Sequence, residues 1–177
     1  MDEKTAVIVI DMLNDFLYGK LKCERCHRII PCIDKLLVSA RERGIPVIYV
    51  CDAHKKNDNE FKKWPRHAVE GTRGAEIISE LKPLKGDYII KKTRYSGFFN
   101  TELEKLLKKL NVECLIITGI LTNICVQHTV ADAFFRDYKT IIPKECTEAL
   151  SDKIKKDSFN FMKDMYNANI ISIEDII

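Results

Sequence analysis

The 177-residue sequence predicts an α/β protein in which a six-stranded, mostly parallel sheet lies between two layers of helices, a three-layer α/β/α fold. Short β-branched apolar segments alternate with segments of helical periodicity, which is typical of right-handed βαβ units. The strand segments are continuously apolar, as expected for strands covered by helices on both faces. No linker, repeat or low-complexity tract interrupts this pattern, so residues 1–177 are expected to form one domain.

Six segments are predicted to be strands, namely residues 5–11, 46–51, 88–91, 114–118, 140–142 and 169–173, of which the first two have the composition of buried strands. Apolar residues at helical spacing predict helices over residues 31–43, 74–81, 101–110, 125–135 and 157–166. Thr101 is followed three residues later by Glu104, which is the pattern of a capping box. Two long segments, residues 12–30 and 55–73, lack a sustained period, and irregular loops of that length are usually functional.

Composition excludes several classes of function. Lys and Arg number 29 and Asp and Glu number 26, so the net charge of +3 and the absence of a long basic run argue against nucleic-acid binding. No apolar run approaches the roughly 20 residues of a membrane-spanning helix. The first ten residues lack the features of a signal peptide, so a cytoplasmic location is expected. Seven cysteines, an odd number, favour reduced thiols in a chain of this size.

Chemically active side chains follow four of the predicted strands. Parallel strands bind ligands beyond their carboxyl ends, where Asp11, Asp52, Lys92 and Cys125 are expected to meet. A cysteine at the start of a helix is stabilised as thiolate by the helix dipole, and nearby N–H groups can hold an oxyanion. Asp11 is positioned to accept the thiol proton and Lys92 to orient that carboxylate. The alternative is that Cys125 is simply a small buried apolar residue.

A second group of residues has the chemistry of a metal site. Asp52 and His54 project to the same side of an extended segment, and His67 follows in the irregular loop. Three protein ligands with open positions are typical of a catalytic metal, here a divalent ion for which zinc is favoured and iron or manganese is possible. The alternative is that Asp52 and His54 cap a loop while His67 lies on the surface.

Taken together, these residues resemble the isochorismatase-like cysteine hydrolases, a superfamily that includes nicotinamidases and N-carbamoylsarcosine amidases. The resemblance covers nearly the whole chain. It rests on residues 7–16 (VIVIDMLNDF), 52–54 (DAH), 64–67 (WPRH), 92–98 (KTRYSGF), 119–126 (GILTNICV) and 129–133 (TVADA).

The resemblance implies a catalytic triad of Asp11, Lys92 and Cys125, with the backbone N–H groups of Leu121 and Cys125 as the oxyanion hole. It also implies a cis peptide between Ile120 and Leu121 and a metal held by Asp52, His54 and His67. The reaction would be amide hydrolysis with release of ammonia, with nicotinamide as the first candidate substrate. A small amide is then the expected partner, and relatives are commonly homo-oligomers.

Several positions depart from the nicotinamidase pattern. Ala53 replaces a common Trp, residues 57–61 (NDNEF) replace a His-Ser-Phe stretch, and Asn123-Ile124 replaces Glu-Tyr. An N-carbamoylsarcosine amidase-like activity on a carbamoyl amide is therefore an alternative, as is a non-catalytic relative that binds a small ligand.

Other residues invite interpretations of their own. Phe16, Trp64 and Phe98 are candidates for the wall of the substrate pocket, although aromatic residues are more often core. His128, one turn after Cys125, suggests a Cys/His dyad, but a packed histidine is favoured. A cluster close in sequence resembles half of a zinc site: Cys23, Cys26, His27 and Cys32. The alternatives are free thiols, or a reversible Cys23–Cys26 disulfide in a redox-sensing protein.

Overall fold

A computed structural model describes residues 4–177 and shows one parallel sheet. Its strands are β1 Thr5–Ile10, β2 Val47–Asp52, β3 Tyr88–Lys92, β4 Cys114–Ile120, β5 Lys139–Pro143, β6 Thr147–Glu148 and β7 Asn169–Ile171. Strand order is β3-β2-β1-β4-β5-β7, and the short β6 pairs with the end of β4. Every pairing is parallel, which confirms the predicted sheet and adds one short strand.

Helices cover both faces of this sheet and create two apolar cores. They are α1 Asn14–Leu17, α2 Ile30–Glu42, α3 Leu103–Lys109, α4 Gln127–Phe134 and α5 Asp152–Tyr166. Val7 and Val9 pack in the core that includes α2, whereas Ile8 and Ile10 pack in the core formed with α3, α4 and α5. Because alternate residues of one strand enter different cores, the strand must be apolar throughout. No helix within residues 4–177 has the length and apolarity needed to cross a membrane.

The predicted helix over residues 74–81 is wrong. Two short 3₁₀ turns, Arg73–Ala75 and Ser79–Leu81, occupy the segment. Between them the chain is extended and follows the loop after β1, since Asn14 N–H donates to Glu76 O and Ile78 N–H donates to Met12 O, both at 3.0 Å. Pairing with a distant segment thus replaces the local hydrogen bonds of a helix.

Two helix starts also differ from prediction. The capping box at Thr101 is wrong, because Thr101 Oγ1 accepts from Leu103 N–H (3.2 Å) and the Glu104 carboxylate contacts Lys108 and Arg136 instead. Helix α5 begins at Asp152, five residues before the predicted start, and the Ser151 hydroxyl caps it by accepting from Ile154 N–H (3.2 Å).

Candidate active site

The carboxyl ends of β1 to β4 meet at one edge of the sheet. Asp52 and Lys92 are partners in the β2–β3 register, and Asp11 directly follows β1 with a left-handed φ of 53°. Gly119, near the end of β4, has φ 101° and lies so close to β1 that an added Cβ would be 2.0 Å from Ile10 O. Only glycine fits there, and this close approach lets the turn after β4 reach the Asp11 side chain.

Asp11, Lys92 and Cys125 lie together, as predicted, beneath that edge. Lys92 Nζ is 2.7 Å from Asp11 Oδ2, 2.5 Å from Asp52 Oδ1 and 3.6 Å from Cys125 Sγ. Asp52 N–H donates to Asp11 Oδ1 at 2.8 Å, which fixes the carboxylate. All four side chains are buried, so one ammonium group is shared by two carboxylates and a thiol away from bulk water.

Burial sets the protonation of this group. Burial and the Asp52 carboxylate raise the pKa of Asp11 to about 6, although the Lys92 ammonium opposes them. Burial raises the pKa of Cys125 well above its ordinary value, so the thiol is protonated at rest and needs a base. Burial alone would lower the pKa of Lys92, but Asp11, Asp52 and Cys125 raise it well above 10.5. The lysine therefore stays charged.

Cys125 lies in a π-helical turn, Thr122–Val126, and not at the first residue of a helix as predicted. Helix α4 begins at Gln127, and Val126 N–H donates to Leu121 O (3.3 Å) across the wider turn. The peptide between Ile120 and Leu121 is cis, which confirms that prediction. Leu121 and Cys125 line the same cavity, whereas an oxyanion-binding role for their N–H groups stays a prediction.

Asp52, His54 and His67 are also brought together. Their candidate ligand atoms all lie within 4.8 Å of one another, and the three side chains are buried. Asp52 Oδ2 is 3.5 Å from His54 Nε2 and 3.9 Å from His67 Nε2. His54 Nε2 is buried with no hydrogen-bond partner, so a divalent cation would satisfy an atom that is otherwise costly to bury. One oxygen and two imidazole nitrogens fit zinc.

Contacts behind the two histidines aim their Nε2 atoms at that position. His67 Nδ1 lies 2.6 Å from Pro65 O, and His54 Nδ1 lies 3.2 Å from Asp58 Oδ2. An N–H on each Nδ1 leaves a lone pair on each Nε2, which is the tautomer that binds metal. Asp58 was missed from the sequence because residues 55–73 show no period. Its spacing of four residues from His54 is the one available signal.

A cavity of about 320 Å³ opens above Cys125. Asp11, Asp52, Glu60 and His67 contribute its polar surface, and its apolar wall includes Phe16, Leu21, Trp64, Tyr95, Ile124 and Leu150. Burial and the nearby Asp52 raise the pKa of Glu60, a cavity residue that the sequence analysis also missed. A mostly apolar slot with few polar groups suits a small, flat ligand.

Of the three predicted aromatic wall residues, Phe16 and Trp64 line the cavity. Trp64 Nε1 donates to Tyr95 Oη at 2.9 Å, which fixes both rings. Phe98 was wrongly assigned to this wall. It packs in the core beside α3 and α4 and stacks on Tyr138 with ring centroids 5.9 Å apart.

Two other suggested sites are not formed. His128 Nδ1 contacts Ile124 O (2.7 Å) rather than the Cys125 thiol, so no dyad forms. The His128 side chain is exposed but packs against the Tyr95 ring, with centroids 5.3 Å apart, in line with the favoured packed histidine. His27 Nε2 contacts Leu17 O (2.8 Å), and within residues 4–177 the cluster with metal-binding geometry is the one at Asp52, not the cysteine segment. No disulfide joins any of the cysteines within residues 4–177.

Comparison with known proteins agrees with this geometry. The isochorismatase domain family matches residues 5–175. The chain belongs to the isochorismatase family. Isochorismatase family protein YaaI of Bacillus subtilis is 33% identical over 174 residues, covering 97% of this chain and 96% of YaaI.

Solved structures of relatives superpose closely. N-carbamoylsarcosine amidase from Thermoplasma acidophilum has a TM-score of 0.91 at 34% identity, covering 97% of both chains. Nicotinamidase/pyrazinamidase PncA from Bacillus subtilis has a TM-score of 0.90 at 30% identity, covering 96% of this chain and all of PncA. Pyrazinamidase of Pyrococcus horikoshii, solved in complex with zinc, has a TM-score of 0.89 at 28% identity, covering 96% of this chain and 99% of the relative. The chain is thus an isochorismatase-like hydrolase.

Proposed function

We propose that the protein is a metal-assisted cysteine amidohydrolase that cleaves a small amide and releases ammonia. The observation that carries this proposal is the buried contact of Lys92 with Asp11, Asp52 and Cys125 beneath a small cavity. Burying an ammonium, two carboxylates and a thiol is costly unless they are paired, and such clusters mark functional sites. A protein that only bound a ligand would not need a thiol beside a buried base.

The chemistry follows from the three side chains. Asp11 takes the Cys125 proton as the sulfur attacks the amide carbonyl carbon, while Lys92 holds the carboxylate in place. The tetrahedral intermediate collapses as its C–N bond breaks, and Asp11 returns the proton to the departing ammonia. Water then attacks the thioester, again giving its proton to Asp11, and cleavage of the C–S bond restores the thiol. A pKa of about 6 for Asp11 suits a group that both accepts and donates at neutral pH.

Asp52, His54 and His67 would hold the divalent metal, for which we propose zinc. When bound, the ion supplies a Lewis acid that anchors a ring nitrogen or polarises water near the substrate. His67 lines the cavity together with Phe16, and their ring centroids are 5.4 Å apart. An aromatic amide such as nicotinamide would therefore lie between the metal side of the cavity and Cys125.

A carbamoyl amide with a carboxylate, of the N-carbamoylsarcosine type, is the second candidate. Lys20 and Lys22 lie along the same cavity, and Lys22 is already paired with Glu24 at 2.6 Å. The Lys20 ammonium would attract the carboxylate of an anionic substrate. Nicotinamide is uncharged and would not benefit from this attraction. Replacing Lys20 by Met should then raise KM for the anionic amide and leave KM for nicotinamide unchanged.

The decisive test is ammonia release from nicotinamide by zinc-loaded protein, with Cys125→Ala and zinc-stripped samples alongside. Loss of the nucleophile should reduce turnover by roughly 10³-fold or more. Cys32→Ala is the matched control, because Cys32 is a half-buried thiol on α2 outside the cavity, and it should keep wild-type activity.

Each outcome has a separate meaning. Wild-type turnover in Cys125→Ala would overturn the proposed mechanism. No turnover of nicotinamide by the loaded wild type would exclude that substrate, and ammonia release from N-carbamoylsarcosine would then support the second candidate. A protein that hydrolyses neither amide, and whose Cys125 is alkylated no faster than Cys32, would be a ligand-binding relative.

A further inference from the structure

Cys23 and Cys26 form a thiol pair beside the candidate active site. Cys23 precedes the 3₁₀ helix Glu24–Ile29, and Cys26 lies within it. Cys26 N–H donates to Cys23 O at 2.9 Å, so the chain makes one turn between them, and both side chains fall on one face. The two thiols are close enough to influence each other electrostatically and are not joined as a disulfide.

The two thiols differ in how they can be reached. Cys23 lies in the wall of the cavity above Cys125, next to Leu21 and Lys22. Cys26 is completely buried in the core beside α2 and does not line the cavity. A solute that enters the cavity therefore meets Cys23 first, with Cys26 directly behind it.

We propose that Cys23 and Cys26 are a redox modification site, at which a hydroperoxide admitted through the cavity drives formation of a reversible disulfide. The Cys23 sulfur attacks one peroxide oxygen, the O–O bond breaks, and Cys23 becomes a sulfenic acid while the other oxygen leaves as water or an alcohol. The Cys26 sulfur then attacks the Cys23 sulfur. The S–O bond breaks, the Cys26 proton leaves with the hydroxyl as water, and a disulfide remains.

Burial decides which of the two thiols reacts first. Burial raises the pKa of Cys26 and keeps its sulfur away from the cavity surface, so Cys26 remains a thiol and is not the first target; it loses its proton only as it attacks the oxidised Cys23 sulfur. Four other cysteines lack this combination. Cys51 is buried and outside the cavity, and Cys32 and Cys146 lie near each other in the same core without lining the cavity. Cys125 lines the cavity, but its contacts are Lys92 and Asp11 rather than a second thiol.

The sequence makes this disulfide easy to detect. Lys22, Arg25 and Arg28 place a trypsin site before, between and after the two cysteines, so digestion yields the tripeptides 23–25 (CER) and 26–28 (CHR). Folded protein is treated with hydrogen peroxide, remaining thiols are alkylated, and the digest is analysed by mass spectrometry without reductant. We expect the two tripeptides to appear joined, two hydrogen atoms lighter than their sum, and to separate on reduction.

Variants separate this site from the other thiols. Cys125→Ala and Cys32→Ser should still yield the joined tripeptides, whereas Cys23→Ser should abolish them. Cys26→Ala should leave Cys23 as a sulfenic acid that dimedone labels, which tests the order of the two steps even if the disulfide is missed. Circular dichroism checks that each variant is folded.

Three results would overturn the proposal. They are absence of the joined tripeptides from oxidised folded protein, their formation only after denaturation, and linkage of Cys23 to a different cysteine. Because the measurement is a peptide mass, it stands whether or not the protein hydrolyses an amide.

Discussion

Asp58, in the loop after β2, contacts one histidine of the candidate metal site on the side away from the proposed metal position. Its Oδ2 lies 3.2 Å from His54 Nδ1, while its Oδ1 accepts from Glu60 N–H and from Arg94 Nη1, both at 2.9 Å. Both carboxylate oxygens are therefore used as acceptors. An asparagine offers one acceptor and one donor, so it cannot satisfy both sides at once.

Replacing Asp58 by Asn should therefore weaken zinc binding by about 10–100-fold, the usual cost of losing a group that orients a metal-binding histidine. Competition with a chromogenic chelator measures the affinity. Asn57→Ala is the control, because Asn57 is exposed one residue earlier in the same loop. Equal affinities for wild type and Asp58→Asn would show that Asp58 does not orient His54.

At the same scale, the sequence predicted the residues at strand ends better than those in loops. Asp11, Asp52 and Lys92 could be placed because a parallel strand ends just before or at each of them. Asp58 and Glu60 lie in a segment held by tertiary contacts, where no periodicity indicates which side chains turn inward. The assignment of Phe98 to the pocket wall was wrong because an aromatic side chain near a site is equally suited to the apolar core, where Phe98 lies.

Among the secondary-structure elements, the π-helical turn that carries Cys125 depends on helix α4. Thr129 on α4 is fully buried, donates its hydroxyl to Cys125 O at 2.7 Å and accepts from Gly97 N–H at 3.0 Å. One hydroxyl thus joins the nucleophile turn to the loop that follows β3. No sequence pattern indicated the π turn, because it opens the helical segment and no earlier turn sets a phase that the extra residue would shift.

Thr129→Val should lower the free energy of unfolding by about 1–3 kcal/mol, because valine fills the space but leaves the buried Gly97 N–H without a partner. Urea denaturation measures the change. Thr118→Val is the matched control; the Thr118 hydroxyl is equally buried but makes a single bond, to Ile8 O at 2.9 Å, and its loss leaves no N–H unsatisfied. A loss in Thr129→Val no larger than in Thr118→Val would contradict the linking role.

For the molecule as a whole, the sheet was predictable and the long connection from β2 to β3 was not. Strands β1, β2 and β4 are buried on both faces and could be recognised without any knowledge of their partners. The connection is held by scattered contacts, such as His54 N–H to Ala68 O (2.9 Å), Glu70 N–H to His54 O (2.9 Å) and Ala68 N–H to Asp15 Oδ2 (2.8 Å). These partners are far apart in sequence, so a local sequence pattern cannot indicate the contacts between them.

A metal bound by Asp52, His54 and His67 would tie this connection to the sheet, since Asp52 ends β2 and His67 lies thirteen residues beyond His54. Zinc should therefore stabilise the folded protein, by about 2.7 kcal/mol when free zinc exceeds its Kd 100-fold. Thermal unfolding with and without zinc measures that gain. Hydrogen exchange should locate the added protection in residues 54–72. His67→Ala should lose both effects, whereas His128→Ala, an exposed histidine outside the group, should keep them. Stabilisation that persists in His67→Ala would place the zinc elsewhere in the protein, because the connection would then lack its distal ligand.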